Sequence, residues 1–158
     1  MQTMLDDGQN LTHEISAKID FSPMEEAVGY RLRRAQLAVY QDFTETFEKE
    51  ELRPADFAVL MLVSKNPGLK QSEVAEVLGI QRANFVAIID GLEKKGVAER
   101  RKSDTDRRVQ SLYITDKGRA YLDEITPIWR KHDERQMERL GGPAARDQLI
   151  SLLKRLYD

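Results

Sequence analysis

The chain has no cysteine, and that single absence removes several chemistries at once. Disulfide staples, cysteine-based zinc sites, thiol nucleophiles and thiol redox sensing are all excluded. Histidine is nearly as scarce. His13 and His132 lie far apart, and neither has a second histidine at metal-ligand spacing. With no glycine-rich phosphate loop either, an enzyme lacks its nucleophile, base or metal cluster, and no metal or cofactor is expected. No run approaches the roughly 18 apolar residues of a membrane span. Met1 to Asp20 lacks the basic start and apolar stretch of a secretory signal, so a cytoplasmic protein is expected. Glycine and proline are few, at 9 and 5 among 158 residues, which favours mostly helical structure.

What remains is a chain with 41% hydrophobic residues, enough for a core, and 33% charged residues. Its length fits one compact domain or one subunit of an intertwined dimer. The net charge of −2 argues against a nucleic-acid binder until its distribution is considered. Gln81 to Arg119 carries ten Lys/Arg and six Asp/Glu, a surplus of +4. The remaining fifteen basic and twenty-one acidic residues give −6. A basic segment on an acidic body suits the docking of one face on DNA.

That segment lies in the stretch that organises the chain, Asn66 to Gly118. A short helix from Gln71 ends at Gly79, with Val74, Ala75 and Leu78 inward. A second helix spans Arg82 to Lys95, its inner stripe Phe85 or Val86, Ile89 and Leu92, and Gly96 closes it. Two strands follow, Val97 to Lys102 and Val109 to Ile114, joined by a turn with adjacent arginines. Two helices on a tight turn followed by an arginine-tipped ribbon describe a winged helix-turn-helix. The expected fold is mostly α with a small β-wing, in an intertwined all-helical dimer.

Around this lobe, residues 1–21 read as a polar tail. Ser22-Pro23-Met24-Glu25 reads as a helix start, with Ser22 as cap and Glu25 completing a capping box. The helix is expected to run to about Glu51, with Val28, Leu32, Ala35, Val39, Phe43 and Phe47 in one stripe. Pro54 opens a helix apolar on every side, Phe57 to Val63, which implies burial all round. Thr115-Asp116 caps a long helix to about Leu140, with Pro127 expected to kink it. A last apolar helix spans Ala144 to Tyr157. Residues 53–118 are thus assigned to the DNA-binding lobe, and 22–52 with 119–158 to helical dimerisation.

The stretches from Leu52 to Leu60, Gln71 to Ala75, Leu78 to Ile80, Leu92 to Gly96, Asp104 to Arg108 and Thr115 to Gly118 together resemble the MarR family of bacterial transcription regulators. The resemblance runs from about Ser22 to the C-terminus. It implies a homodimeric regulator, usually a repressor, on a pseudo-palindromic operator in double-stranded DNA. It also implies that one of Arg107 and Arg108 enters the minor groove while its neighbour pairs with Asp104 or Asp106. The motif's docking geometry points to Gln81, Arg82 and Asn84 for base or phosphate contact. Gln71 and Ser72 suit phosphate contact from the preceding helix, and Arg100, Arg101 and Lys102 from the wing.

The family further implies an effector pocket between dimerisation helices and DNA-binding lobe, often taking small aromatic anions. Tyr30, Arg31, Arg33, Arg34, Tyr40, Phe57, Met61, Trp129 and His132 are its candidate lining. Arginines beside aromatics suit an aromatic carboxylate or an acyl thioester carrying phosphates. The competing reading is a constitutive or architectural DNA-binding protein without a ligand. Where family members often carry Thr or Ser as helix caps, this chain has Arg53, Lys70 and Gln81. Each gives up about 1 kcal/mol if nothing compensates. At Lys70 and Gln81 the expected return is contact with DNA.

Overall fold

Why does the first long helix not begin where Ser-Pro-Met-Glu suggests? In the computed structural model, which describes residues 19–102 and 110–158, the Asp20 carboxylate accepts from the Ser22 amide at 2.9 Å. Phe21 therefore takes the cap position, and Ser22 makes no cap. The outcome is one short turn, α1 (Ser22–Glu25), and then a separate helix α2 (Val28–Thr46). The expected single helix is corrected at its far end too. Residues 47–51 form turns, and Glu51 adopts φ +48°. Phe47 and Leu52, at either end of that reversal, are both buried.

The chain divides into two units, residues 1–40 and 41–158. In the first, Val28, Leu32, Leu37 and Val39 are exposed. In the second, Phe43 near the end of α2 and Phe47 just beyond it meet with ring centroids 4.5 Å apart, tilted at 34°, and enter the core. Helix α3 (Pro54–Lys65) supplies Phe57, Val59, Leu60 and Val63 to that core, with Met61 and Leu62 partly buried beside them. Its apolar girdle is buried as its composition requires. Asn66 ends it by donating Nδ2 to Leu62 O at 2.9 Å.

Helix α4 (Gln71–Val77) buries Val74 and Ala75 and ends at Gly79, whose φ of +62° needs a residue without a Cβ penalty. Ile80 N then bonds Ala75 O at 2.9 Å, folding the turn back. Helix α5 (Arg82–Lys94) buries Phe85, Ile89 and Leu92 and leaves Val86 exposed, which resolves the alternative for its inner stripe. Strands β1 (Ala98–Lys102) and β2 (Gln110–Ile114) pair antiparallel, Ala98 opposite Ile114 and Arg100 opposite Leu112. Residues 68–70 join the sheet edge: Gly68 N bonds Leu112 O at 2.9 Å, and Leu112 N bonds Leu69 O at 2.8 Å.

Thr115 caps helix α6 (Asp116–Arg139), its hydroxyl accepting from Gly118 N at 3.0 Å. Helix α6 runs without a break through Pro127, and Leu122, Ile125 and His132 are its buried residues beyond Gly118. Gly141 and Gly142, at φ +97° and +104°, turn the chain into α7 (Pro143–Lys154). No residue of α7 is buried.

Candidate nucleic-acid interface and effector-binding residues

The roll of α5 decides what it offers. Because Phe85, Ile89 and Leu92 fix its inner side, Gln81, Arg82 and Asn84 at its beginning are exposed. Ser72 is exposed at the start of α4, and Gln71 is half-buried. The three unusual cap positions are real: Arg53, Lys70 and Gln81 sit at the caps of α3, α4 and α5, and none makes a side-chain cap bond. At Lys70 the loss is half covered, since Glu73 Oε2 accepts from the Lys70 amide at 2.8 Å. At α3, Asp56 receives a backbone bond from Arg53. Gln81 has no comparable helper, because the third residue of α5 is Asn84. The first amides of α5 are left without a side-chain cap beside Arg82 and Asn84.

The wing divides into two kinds of arginine. Arg101 and Lys102 are exposed; Arg101 pairs with Glu99 and lies 4.3 Å from the centre of the Tyr113 ring. Arg100, assigned from sequence to phosphate contact, is held by partners within the lobe. Strand alternation puts it on the same side as buried Ala98, facing the helices. Its guanidinium gives Nη1 to Glu93 Oε2 and Nη2 to Asp90 Oδ1, each at 2.6 Å, and Nε to Gln71 Oε1 at 3.2 Å. Gln71 in turn donates to Gln110 Oε1 at 3.0 Å. Only 17% of the Arg100 side chain is exposed. Arg107 and Arg108, with Asp104 and Asp106, lie outside the described residues.

The effector candidates fall in both units. In the first, Tyr30 is half-buried and Arg33, Arg34 and Tyr40 are exposed, while Arg31 donates Nε to Glu25 O at 2.6 Å. In the second, Phe57 stacks on Trp129 with centroids 5.2 Å apart, and His132 meets the Phe43 ring edge-on at 5.4 Å. Met61 packs partly buried against the same core.

Asp42 was missed from sequence, and it is the hub of this end of the lobe. Its carboxylate accepts from His132 Nδ1 at 2.6 Å, Gln136 Nε2 at 2.8 Å and Arg135 Nη2 at 3.0 Å, with Arg139 at 3.5 Å. Burial pushes its pKa up, but the bonds from Arg135 and His132 more than offset that and hold it below the usual carboxylate value. An ionised carboxylate only accepts, so His132 presents Nδ1–H to it. The signal in the sequence was the spacing of His132, Arg135, Gln136 and Arg139, one polar row along α6.

A helix-turn-helix with an exposed, donor-rich second helix and a two-stranded wing defines a winged-helix transcriptional regulator. A MarR family model matches residues 51–109. A candidate transcriptional regulatory protein for the hcr operon of Thauera aromatica is 35% identical over 142 residues, 89% of this chain and 85% of its own. The transcriptional repressor MprA of Escherichia coli K12 is 30% identical over 126 residues, 68% of this chain and 72% of MprA. Among solved structures, the transcriptional repressor CouR bound to a 23-mer DNA duplex superposes with TM-score 0.81 at 41% identity, covering 89% of this chain and 99% of CouR. CouR bound to p-coumaroyl-CoA gives TM-score 0.79 at 40% identity, covering 87% and 96%. The chain belongs to the MarR family of transcriptional regulators.

Proposed function

We propose that the protein is a homodimeric repressor that binds a pseudo-palindromic operator and is released by an aromatic acid or its acyl thioester. The observation that carries this reading is its likeness, near full length, to a repressor known both on a DNA duplex and with an aromatic acyl thioester. The exposed start of α5, with Gln81, Arg82 and Asn84, supplies donors suited to base edges in a major groove. Ser72, Arg101 and Lys102 supply phosphate contacts, and from the sequence Arg107 and Arg108 are assigned to DNA as well. Two such helices set about 34 Å apart would read two half-sites one turn apart.

Dimerisation is assigned to the terminal helices. Val28, Leu32, Leu37 and Val39 in the first unit, and Leu149, Ile150, Leu152 and Leu156 in the second, are apolar and exposed. An effector that binds better to a differently spaced dimer weakens DNA binding by linkage. The residues assigned to it are Tyr30, Arg33, Arg34, Tyr40, Phe57, Met61, Trp129 and His132. Such a protein works in the cytoplasm.

The test is a gel shift on the DNA upstream of the protein's own gene, with p-coumaroyl-CoA, free p-coumarate and CoA added in turn. Release by the thioester or by a related aromatic acid is expected. Tight DNA binding that no compound of this class weakens would favour the constitutive regulator instead.

A further inference from the structure

We infer that Arg100 is a positioning residue of the DNA-binding lobe, a strut that sets the angle between wing and recognition helix, with Asp90 and Glu93 as its anchors. The inference rests on the reading that this lobe binds DNA.

The geometry is unusually complete for a residue on a basic wing. Glu93 grips Arg100 twice: Oε1 accepts from the Arg100 amide at 2.7 Å, and Oε2 from Nη1 at 2.6 Å. The first bond seals the outer edge of β1 against α5, and the second fixes the side chain. Asp90, one turn earlier on α5, takes Nη2 at 2.6 Å. Nη2 also lies 3.5 Å from the Val86 carbonyl, and Nε is bonded to Gln71 at the head of α4. The Gln71 bond to Gln110 carries the chain across to β2. One guanidinium therefore ties together α4, α5 and both strands. Its planar fork suits this, and lysine could not reproduce it.

Charge points the same way. Arg100 is +1 against two carboxylates, so the cluster is −1 and its donors are committed inside the protein. A phosphate would have to compete with two ionised partners already at bonding distance. Asp90 and Glu93 are also acidic residues on the helix that is meant to meet a polyanion. Simple electrostatics says that neutralising either should tighten DNA binding. The strut requires the opposite sign, because each neutralisation loosens the wing from the helix beside it.

That difference in sign is the experiment. The tightest duplex recovered by the full-length protein from a random-core library is used as probe, and affinity is measured across a salt series. Asp90→Asn and Glu93→Gln are each expected to bind about ten-fold more weakly, as expected for loss of a charged anchor. Arg100→Lys, which keeps the charge but loses the fork, is expected to weaken binding similarly with an unchanged salt slope. A phosphate contact behaves otherwise: Arg100→Met would flatten the slope by about 0.9, and Arg100→Lys would keep most of the affinity. Asp90 has a side chain 60% exposed, and a urea melt of its variant, expected to match the wild type, separates lost binding from lost folding. Equal or tighter binding by Asp90→Asn and Glu93→Gln, or wild-type affinity in Arg100→Lys, overturns the strut alone. If the wild-type protein enriches no duplex, the DNA-binding reading fails and the strut falls with it.

Discussion

Helices α5 and α7 have similar shares of apolar residues and opposite fates. Helix α5 buries Phe85, Ile89 and Leu92 against neighbours within the same lobe, whereas α7 buries nothing. Leu149 and Leu152, at helical spacing, stay exposed with Ile150 beside them. Among the described residues nothing covers that apolar row, and the proposed dimer would supply a surface for it. The lobe is locally sufficient; the C-terminal helix is not.

The sharpest way to break the comparison is to make α7 polar. Leu149→Gln with Leu152→Gln should weaken the proposed dimer by about 4 kcal/mol, from about 2 kcal/mol per leucine withdrawn from burial. Sedimentation should show monomers at concentrations where the wild type is dimeric, with helical content retained. Unchanged dimerisation would remove α7 from the interface.

Next in size is a change inside the self-sufficient lobe. A Cβ at Gly118 would lie 1.9 Å from the Val97 carbonyl oxygen and 2.8 Å from Ile114 Cγ2. Backbone cannot yield as a flexible side chain can. Gly118→Ala should therefore cost about 3 kcal/mol, seen as a lower urea midpoint. It should unfold the lobe without first dissociating a dimer, the reverse of the leucine variants.

This contrast also marks what was legible in the sequence. The lobe's turns, inner stripes and cap at Thr115 depend on residues three to seven apart, and periodicity exposes those. The beginning of α1 misled because Asp20, two residues upstream, takes the Ser22 amide expected to bond Glu25, and the Phe21 carbonyl accepts from the Met24 and Glu25 amides. The networks of Arg100 and Asp42 were missed for a different reason. Asp42 meets His132 from 90 residues away, and Arg100 crosses from strand to helix to reach Glu93, Asp90 and Gln71; composition marks both only as surface charge. Strand alternation already placed Arg100 beside Ala98, and Asp90 with Glu93 already formed an i, i+3 pair; their coincidence needed the packed lobe.

Two half-buried acids give a third, smaller test. Asp42 has a lowered pKa, so its contribution is present above the ordinary carboxylate value of about 4 and is lost as pH falls through its folded value. Asp42→Asn should cost about 2 kcal/mol at pH 7 and flatten the acid limb of the stability curve below about pH 4. Asp56 is the opposite case. Burial raises its pKa, only partly opposed by the backbone bond from Arg53 and the charges of Arg53 and Lys95. Its folded form favours the proton, so stability falls as pH rises from about 4 through the folded value. Asp56→Asn should remove that dependence and leave the protein no less stable at pH 7. Urea melts of both variants from pH 3 to 7 distinguish the two directions.

The smallest effect bears on how far the lobe's self-sufficiency was relaxed for DNA. Lys70 has Glu73 behind it and Arg53 has Asp56, but Gln81 has no acidic helper. Gln81→Ser should add a cap to α5 and raise stability by about 1 kcal/mol. If the glutamine is there to meet the duplex, the same substitution should weaken operator binding several-fold. A gain in the urea midpoint with full DNA affinity would mean that the missing cap serves nothing on the DNA side. The exposed start of α5 would then owe its importance to Arg82 and Asn84 alone.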